Sequence, residues 1–404
     1  MNRQALVALL LAGVPMLGAC RGEARPSSEN EALRRTIDSM VPLVEQATGL
    51  PFKRRPRAAM ITREQARAYI SQNLERELAG GRGDRLTSSL HLFGLFPDSL
   101  DLGTVFRAVL GEQVAGYYDP DSSAFFGVEG ATPQVLRLTV GHELVHALQH
   151  DYVPLDSIVL DLSNSDRAVA AHSVLEGQAT IAMFRMLPEI GEQVLEQAFW
   201  DQVRESSVAE RRKMPELAGA PRIIQEVVVF PYFGGAEYMR WWIMGHPRDE
   251  MPFGDRMPRS TEEIIAPERA ARGDRPWVVT FVGADSAIYS DLLGAMEMRV
   301  LLAEARGSAE LDDAAVLGWG GDRFQLYATP GGDALVWIAI FDTQAARDRA
   351  LGALTNWPHP RAGYRRASEV LDVSGRPGLR LTVAPEGWTH WSSLPTAVAS
   401  MQSP

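Results

Sequence analysis

The chain has almost no cysteine, since Cys20 is the only one among its 404 residues. A single cysteine excludes a disulfide bond within the chain, and it leaves histidine, aspartate and glutamate as the residues that could hold a metal ion. Basic residues are also outnumbered, with 40 Lys and Arg against 51 Asp and Glu and a formal net charge of −11. This balance argues against a nucleic-acid partner, which normally requires a basic surface.

The sequence also lacks internal repeats and low-complexity tracts. Hydrophobic residues make up 46% and charged residues 23% of the chain, which is typical of a globular protein. A chain of this length can bury two hydrophobic cores.

The first 20 residues are expected to form a signal peptide. Residues 5–17 are almost wholly apolar and follow one basic residue, Arg3. This segment is too short to span a membrane as a typical transmembrane helix. They end in Leu-Gly-Ala-Cys at 17–20, which resembles the lipobox of bacterial lipoproteins. The resemblance implies lipidation at Cys20 and a cell-envelope protein anchored to a membrane by lipid. The alternative is a plain secretory signal in which Cys20 has no special role.

Hydrophobic periodicity predicts an α+β fold in two parts. A polar tether at 21–30 precedes a mainly helical part with a small mixed or antiparallel sheet at 31–265, and a small α+β domain follows at 276–404. The predicted helices lie at 31–48, from 62 onward, at 133–152, 165–186, beyond 234, at 292–305 and 343–354. The predicted strands lie at 52–61, 112–118, 124–128, 324–328, 334–341 and 379–383. The second and third of these strands flank a turn and predict a β-hairpin.

The motif His-Glu-Leu-Val-His at 142–146 lies within a strong helical pattern. Residues four apart share one face of a helix, so His142 and His146 can point at a single metal ion. Zinc suits neutral imidazole ligands and keeps a tetrahedral site. The neighbouring Glu143 is placed to take a proton from the attacking water. The motif therefore predicts one Zn²⁺ ion, and the alternative is that both histidines only pack or cap.

Glu176 is the candidate for the third ligand. It lies on the next predicted helix beside Gly177 and Ala179, whose small side chains permit a close approach between helices. The pairing of this motif with a downstream Glu-Gly-x-Ala resembles the gluzincins, the zinc peptidases that include thermolysin. The resemblance implies a zincin-like catalytic domain, with His142, His146 and Glu176 as ligands and Glu143 as the general base.

Other stretches resemble a largely uncharacterised bacterial family of gluzincin-like metallopeptidases. They lie at 115–120, 142–149, 230–232, 258–262 and 318–323, and so span most of the chain after the signal peptide. The zinc motif is the specific part of the resemblance. The other stretches recur without an assigned chemistry.

The sequence departs from the gluzincin pattern around the ligands. Thermolysin-like enzymes carry an aspartate four residues after the ligand glutamate, where this chain has Thr180. We take Asp166, on the same helix face as Glu176, as the substitute that orients a ligating histidine, although it could instead complement the helix dipole. His172 could replace Glu176 as a ligand or face the substrate, but a hydrogen-bonded polar role is the commoner case.

Gluzincins also use a tyrosine or histidine after the third ligand to stabilise the oxyanion. Tyr232 is the favoured candidate here, and His246 is the other. The resemblance further implies that an edge strand of the 112–128 hairpin pairs with an extended peptide substrate.

The sequence thus predicts a zinc metallopeptidase acting on a peptide or protein. Two alternatives stay open: an envelope lipoprotein with a structural zinc site that binds or assembles a partner, and a hydrolase for a non-peptide amide.

Overall fold

The computed structural model describes residues 28–155, 164–247, 249–283, 287–355, 357 and 361–401. The expected signal peptide, Cys20 and most of the expected tether lie outside these residues. Within the described ranges, no helix is both long enough and apolar enough to cross a membrane. The fold contains mixed α and β structure with separate small sheets, which confirms the predicted α+β class.

Helices dominate the first part of the chain. The predicted capping box is present, because the Thr62 side chain accepts a hydrogen bond from Gln65 N and the Gln65 side chain accepts one from Thr62 N. The sequence prediction missed three longer helices, at Arg82–Phe93, Leu102–Gln113 and Gln197–Arg211, and three five-residue helices, at Pro215–Gly219, Thr261–Ile265 and Pro267–Ala271. The helices of this part are α1 (Ser28–Thr48), α2 (Arg63–Glu77), α3 (Arg82–Phe93), α4 (Leu102–Gln113), α5 (Pro133–His150), α6 (Ser165–Arg185), α7 (Gln197–Arg211), α8 (Pro215–Gly219), α9 (Arg222–Gly245), α10 (Thr261–Ile265) and α11 (Pro267–Ala271).

Three short strands form a mixed sheet directly before α5. β2 (Gly116–Asp119) and β3 (Ala124–Val128) make the predicted antiparallel hairpin, and β1 (Arg57–Ile61) pairs with β3 in parallel. The order β1-β3-β2 leaves β2 at an edge of the sheet. The strand predicted at 112–118 begins later than expected, because its first residues belong to α4.

The helix predicted beyond Gly234 was placed too late in the sequence, because it is the C-terminal half of the longer helix α9. Helix α9 begins at Arg222 and passes through Pro231, a residue that usually interrupts a helix because it has no backbone N–H. Both sides of this proline carry buried apolar residues, among them Phe230 and Tyr232. Tertiary packing of this apolar segment therefore outweighs the tendency of one proline to interrupt a helix.

The second part of the chain is built on a five-stranded antiparallel sheet in the order β5-β6-β7-β9-β8. The central strand β7 is buried on both faces: Leu335 and Trp337 belong to one hydrophobic core, and Val336 and Ile338 belong to another. Strands β4, β5, β8 and β10 were not predicted. The elements are β4 (Trp277–Val282), β5 (Ala287–Asp291), α12 (Gly294–Arg306), β6 (Trp319–Thr329), β7 (Gly332–Phe341), α13 (Gln344–Thr355), β8 (Tyr364–Val373), β9 (Arg376–Pro385) and β10 (Thr396–Met401), which pairs with β4.

The larger core runs through both parts of the chain. Phe93 of α3 lies edge-on against Phe324 of β6 and Trp337 of β7, with ring centroids 5.4 and 5.9 Å apart. Ser88 also donates a hydrogen bond to Asp333 across the same junction. The boundary predicted at 266–276 therefore separates two parts that share one core.

Candidate metal centre

Helix α5 places both histidines of the motif in the interior. Thr132 caps its first turn by accepting a hydrogen bond from Val135 N, and Pro133 occupies the first helical position, where no N–H is needed. His142 and His146 follow one turn apart and are 5% and 1% exposed. Their imidazole groups therefore meet other protein groups rather than solvent.

Helix α6 brings Glu176 to the same place. Asn164 caps this helix through a hydrogen bond from Arg167 N. Gly177 lies directly against Gly235 of α9, so that the backbones of the two helices touch. Glu176 is fully buried beside this contact. The small residues were expected to allow a close approach between α6 and α5, but the close approach is made between α6 and α9.

The two histidines and Glu176 converge on one point. The Nε2 atoms of His142 and His146 are 3.2 Å apart, and Glu176 lies 3.0 Å from His142 and 3.5 Å from His146 through its two carboxylate oxygens. Two ligands of a tetrahedral zinc ion, each bound at roughly 2.0–2.1 Å, lie about 3.3 Å from each other. The spacing of these three groups fits such an ion.

The charges of the group are strongly coupled. Burial by itself raises the pKa of Glu176, but the charge of His146 and hydrogen bonds from the surrounding histidines hold that pKa well below its ordinary value. Burial lowers the pKa of His146, yet the carboxylates of Glu176 and Glu143 raise it to about 9. A buried carboxylate that stays ionised between imidazoles is a site that favours a cation.

Glu143 lies beside the ligand group and is fully buried. Its Oε2 accepts a hydrogen bond of 2.8 Å from the backbone N–H of Tyr118 on the edge strand β2. Its Oε1 has no hydrogen-bond partner among the described residues. Burial raises the pKa of Glu143 against the opposing charges of His146 and His142, so this carboxylate is suited to accept a proton.

Tyr232 of α9 completes the wall of the site. Its ring centroid lies 6.0 Å from that of His142, and its hydroxyl is buried beside the Glu176 carboxylate. Burial and the nearby carboxylates of Glu176 and Glu143 raise its pKa well above the ordinary value. The other oxyanion candidate, His246, stacks on Trp242 at 3.7 Å and bonds to the Trp242 carbonyl.

Neither Asp166 nor Thr180, the residue at the position of the orienting aspartate in thermolysin-like enzymes, has a hydrogen bond to His142 or His146 among the described residues. Asp166 accepts hydrogen bonds from the backbone N–H and the hydroxyl of Thr261. It shares a helix face with Glu176 but lies ten residues away, which is about 15 Å along the axis. Thr180 is fully buried, and its hydroxyl has no partner among the described residues.

Gln149 contacts His146 instead, and the sequence analysis did not identify it. Its Oε1 lies 2.8 Å from His146 Nδ1, one turn along the same helix. The signal was present in the motif, since a residue three positions after a ligating histidine lies on the same helix face. The orienting group was instead predicted on α6, where Asp166 and Thr180 lie.

His172 lies at the outer side of the group. Its Nε2 is 3.2 Å from Glu176 Oε1, and 24% of its side chain is exposed. His142, His146 and Glu176 form a set whose ligand atoms lie within 4.8 Å of one another, and His172 does not belong to it. His172 is therefore placed as a hydrogen-bond partner of the carboxylate.

Comparison with known proteins gives no relative for this chain. No family model, curated protein or solved structure matches it. The resemblance to the gluzincins therefore has no support from a matched relative, and the chemistry of the site follows from its own residues.

Proposed function

We propose that the protein is a zinc-dependent peptidase in which His142, His146 and Glu176 hold one Zn²⁺ ion and Glu143 is the general base. The observation that carries the proposal is the convergence of three buried ligand atoms at zinc spacing beside an unpartnered Glu143 Oε1. Buried polar atoms are normally hydrogen-bonded. An unpartnered carboxylate oxygen next to such a group is the arrangement expected where an ion and a water molecule bind.

The number of ligands favours catalysis over a structural role. Structural zinc sites are closed by four protein ligands, whereas catalytic sites use three and leave a position for water or substrate. Among the described residues, three side chains make up the set and His172 stays outside it. The alternative of a structural zinc site would require a fourth protein ligand.

Three residues of the chain, Tyr118, Glu143 and Tyr232, would have separate roles in peptide hydrolysis. Bound zinc would polarise the scissile carbonyl and lower the pKa of water. The Tyr118 N–H holds one oxygen of Glu143 and leaves the other to accept a proton from the attacking water. That carboxyl then delivers the proton to the departing amine. The buried hydroxyl of Tyr232 donates a hydrogen bond to the developing oxyanion.

We also propose a zincin-like arrangement for the first part of the chain. The mixed sheet precedes the motif-bearing α5, and its edge strand β2 reaches the site through Tyr118. An extended peptide added to this edge would place its backbone beside Glu143 with little demand on its sequence. His172, the most exposed of the three histidines that contact Glu176, marks the side from which substrate approaches. With the anchor expected at Cys20, the enzyme would act on peptides or proteins in the cell envelope.

The Glu143→Gln variant tests the proposal. Glutamine keeps the size and the hydrogen bond from Tyr118 but cannot accept the proton, so the variant retains zinc and loses at least about 10²-fold of its hydrolysis of a quenched-fluorescence peptide library. The matched control is Glu297→Gln, because burial and nearby acidic residues raise the pKa of Glu297 well above its ordinary value. Glu297 does not belong to the candidate ligand set, and its environment already disfavours the charged form, so activity is expected to stay at the parental level. Equal hydrolysis by Glu143→Gln and the parent would refute the role of Glu143.

A further inference from the structure

A chain of buried amides runs behind the metal ligands. Gln149 is fully buried, and its Nε2 donates hydrogen bonds of 2.9 Å to the Leu175 carbonyl and to Gln178 Oε1. Gln178 in turn donates to the sulfur of Met251. The remaining atom of the Gln149 amide, Oε1, faces His146 Nδ1 at 2.8 Å.

These contacts determine the orientation of the amide and the tautomer of His146. A backbone carbonyl only accepts hydrogen bonds, so the atom of Gln149 that faces Leu175 must be its NH₂ group. The atom that faces His146 is then the carbonyl oxygen, which accepts. Nδ1 of His146 must therefore carry a proton, and the lone pair of the neutral ring lies on Nε2, the atom that faces Glu176.

We propose that Gln149 is the positioning residue for the metal ligand His146, an inference that rests on the proposed zinc site. The amide holds the ring in the tautomer that can bind a metal through Nε2. It also ties α5 to α6, because both of its donor contacts lie within two residues of Glu176. The same side chain thus sets the distance between a histidine ligand and the carboxylate ligand.

A neutral group suits this position better than the carboxylate common behind zinc-bound histidines. Glu143 and Glu176 already bring two carboxylates into the buried site. A third would add an unfavourable buried negative charge. The amide supplies the same acceptor to Nδ1 without that charge, and it adds two donors that join the helices.

Zinc affinity of the full chain, measured by competition with a chromophoric chelator, tests the inference without using hydrolysis. Gln149→Met keeps the shape and removes the acceptor, and we expect it to lose 10–100-fold of the affinity. Gln149→Glu retains an acceptor for Nδ1 but adds a buried charge and loses both donors, so we expect it to recover only part of the affinity that Gln149→Met loses. Gln178→Met removes one acceptor of the amide, and its affinity is expected to lie between those of Gln149→Met and the parent. The matched control Ser173→Ala, a buried change on α6 whose hydroxyl bonds only within its own helix, leaves affinity unchanged.

The visible spectrum of the cobalt-loaded protein separates positioning from general destabilisation. Gln149→Met is expected to shift the Co²⁺ absorption bands, and Ser173→Ala is not. If Gln149→Met does not fold, Gln178→Met provides the test, and a reduced zinc affinity together with shifted Co²⁺ bands in that variant would support the positioning role of Gln149. Parental affinity in both variants would overturn the role of Gln149 while leaving the zinc site intact. A parent chain that binds no zinc would instead overturn the proposed function itself.

Discussion

The contact between α6 and α9 offers a quantitative test, because it admits no side chain. A Cβ atom on Gly235 would lie 1.9 Å from the Ser173 carbonyl oxygen, more than 1 Å inside the 3.0 Å limit of real contacts. Because the clashing atom belongs to the backbone of α6, no side-chain rotation can relieve the clash, and α6 and α9 must move apart. Overpacking of this kind costs up to about 3 kcal/mol, and the better helix propensity of alanine returns roughly 1 kcal/mol. Gly235→Ala is therefore expected to lose about 2 kcal/mol of unfolding free energy.

Urea unfolding followed by circular dichroism measures this loss. The matched control is Gly352→Ala in the last turn of α13, where an added Cβ meets nothing within 4 Å. This control keeps only the gain in helix propensity and is expected to be more stable than the parent by roughly 0.5–1 kcal/mol. The reasoning is refuted if Gly235→Ala unfolds at the parental urea concentration, or if both variants shift in the same direction.

Two further predictions concern buried ionisable side chains. Burial raises the pKa of Asp166 to about 7, so the contribution of this carboxyl is greatest below its unfolded pKa near 4 and is lost as pH rises toward 7. Asp166→Asn should therefore remove roughly 2–3 kcal/mol of the fall in stability between pH 5 and pH 8, and parallel pH profiles for variant and parent would contradict this. Tyr232→Phe should keep zinc and KM but lower kcat by about 10²-fold, and an unchanged kcat would remove Tyr232 from the mechanism.

Local signals predicted the helices that carry the candidate ligands. Thr132 and Pro133 determine where α5 begins, and periodic apolar residues define its length, so the predicted range 133–152 nearly matches Pro133–His150. The four-residue spacing of His142 and His146 was then sufficient to predict that both lie on one face of this helix. The predicted β-hairpin before α5 was also correct, because its turn residues are strong local signals.

Features that depend on contacts distant in sequence could not be predicted in this way. Asp166 shares a helix face with Glu176, but its partner Thr261 comes from a distant part of the chain. The hydrogen bond from His146 to Gln149 is local, yet the orientation of the Gln149 amide is determined by Leu175 and Gln178 on another helix. Strand β8 escaped prediction because its buried and exposed residues do not alternate regularly.

Zinc content is the most direct test of the central claim. Elemental analysis of the purified full chain should find one zinc per molecule, and Glu143→Gln should retain it because Glu143 is not a ligand. His142→Ala and Glu176→Ala each remove a ligand and should lose most of the metal at micromolar free zinc. A parent without zinc, or a Glu176→Ala variant with the parental zinc content, would contradict the site described.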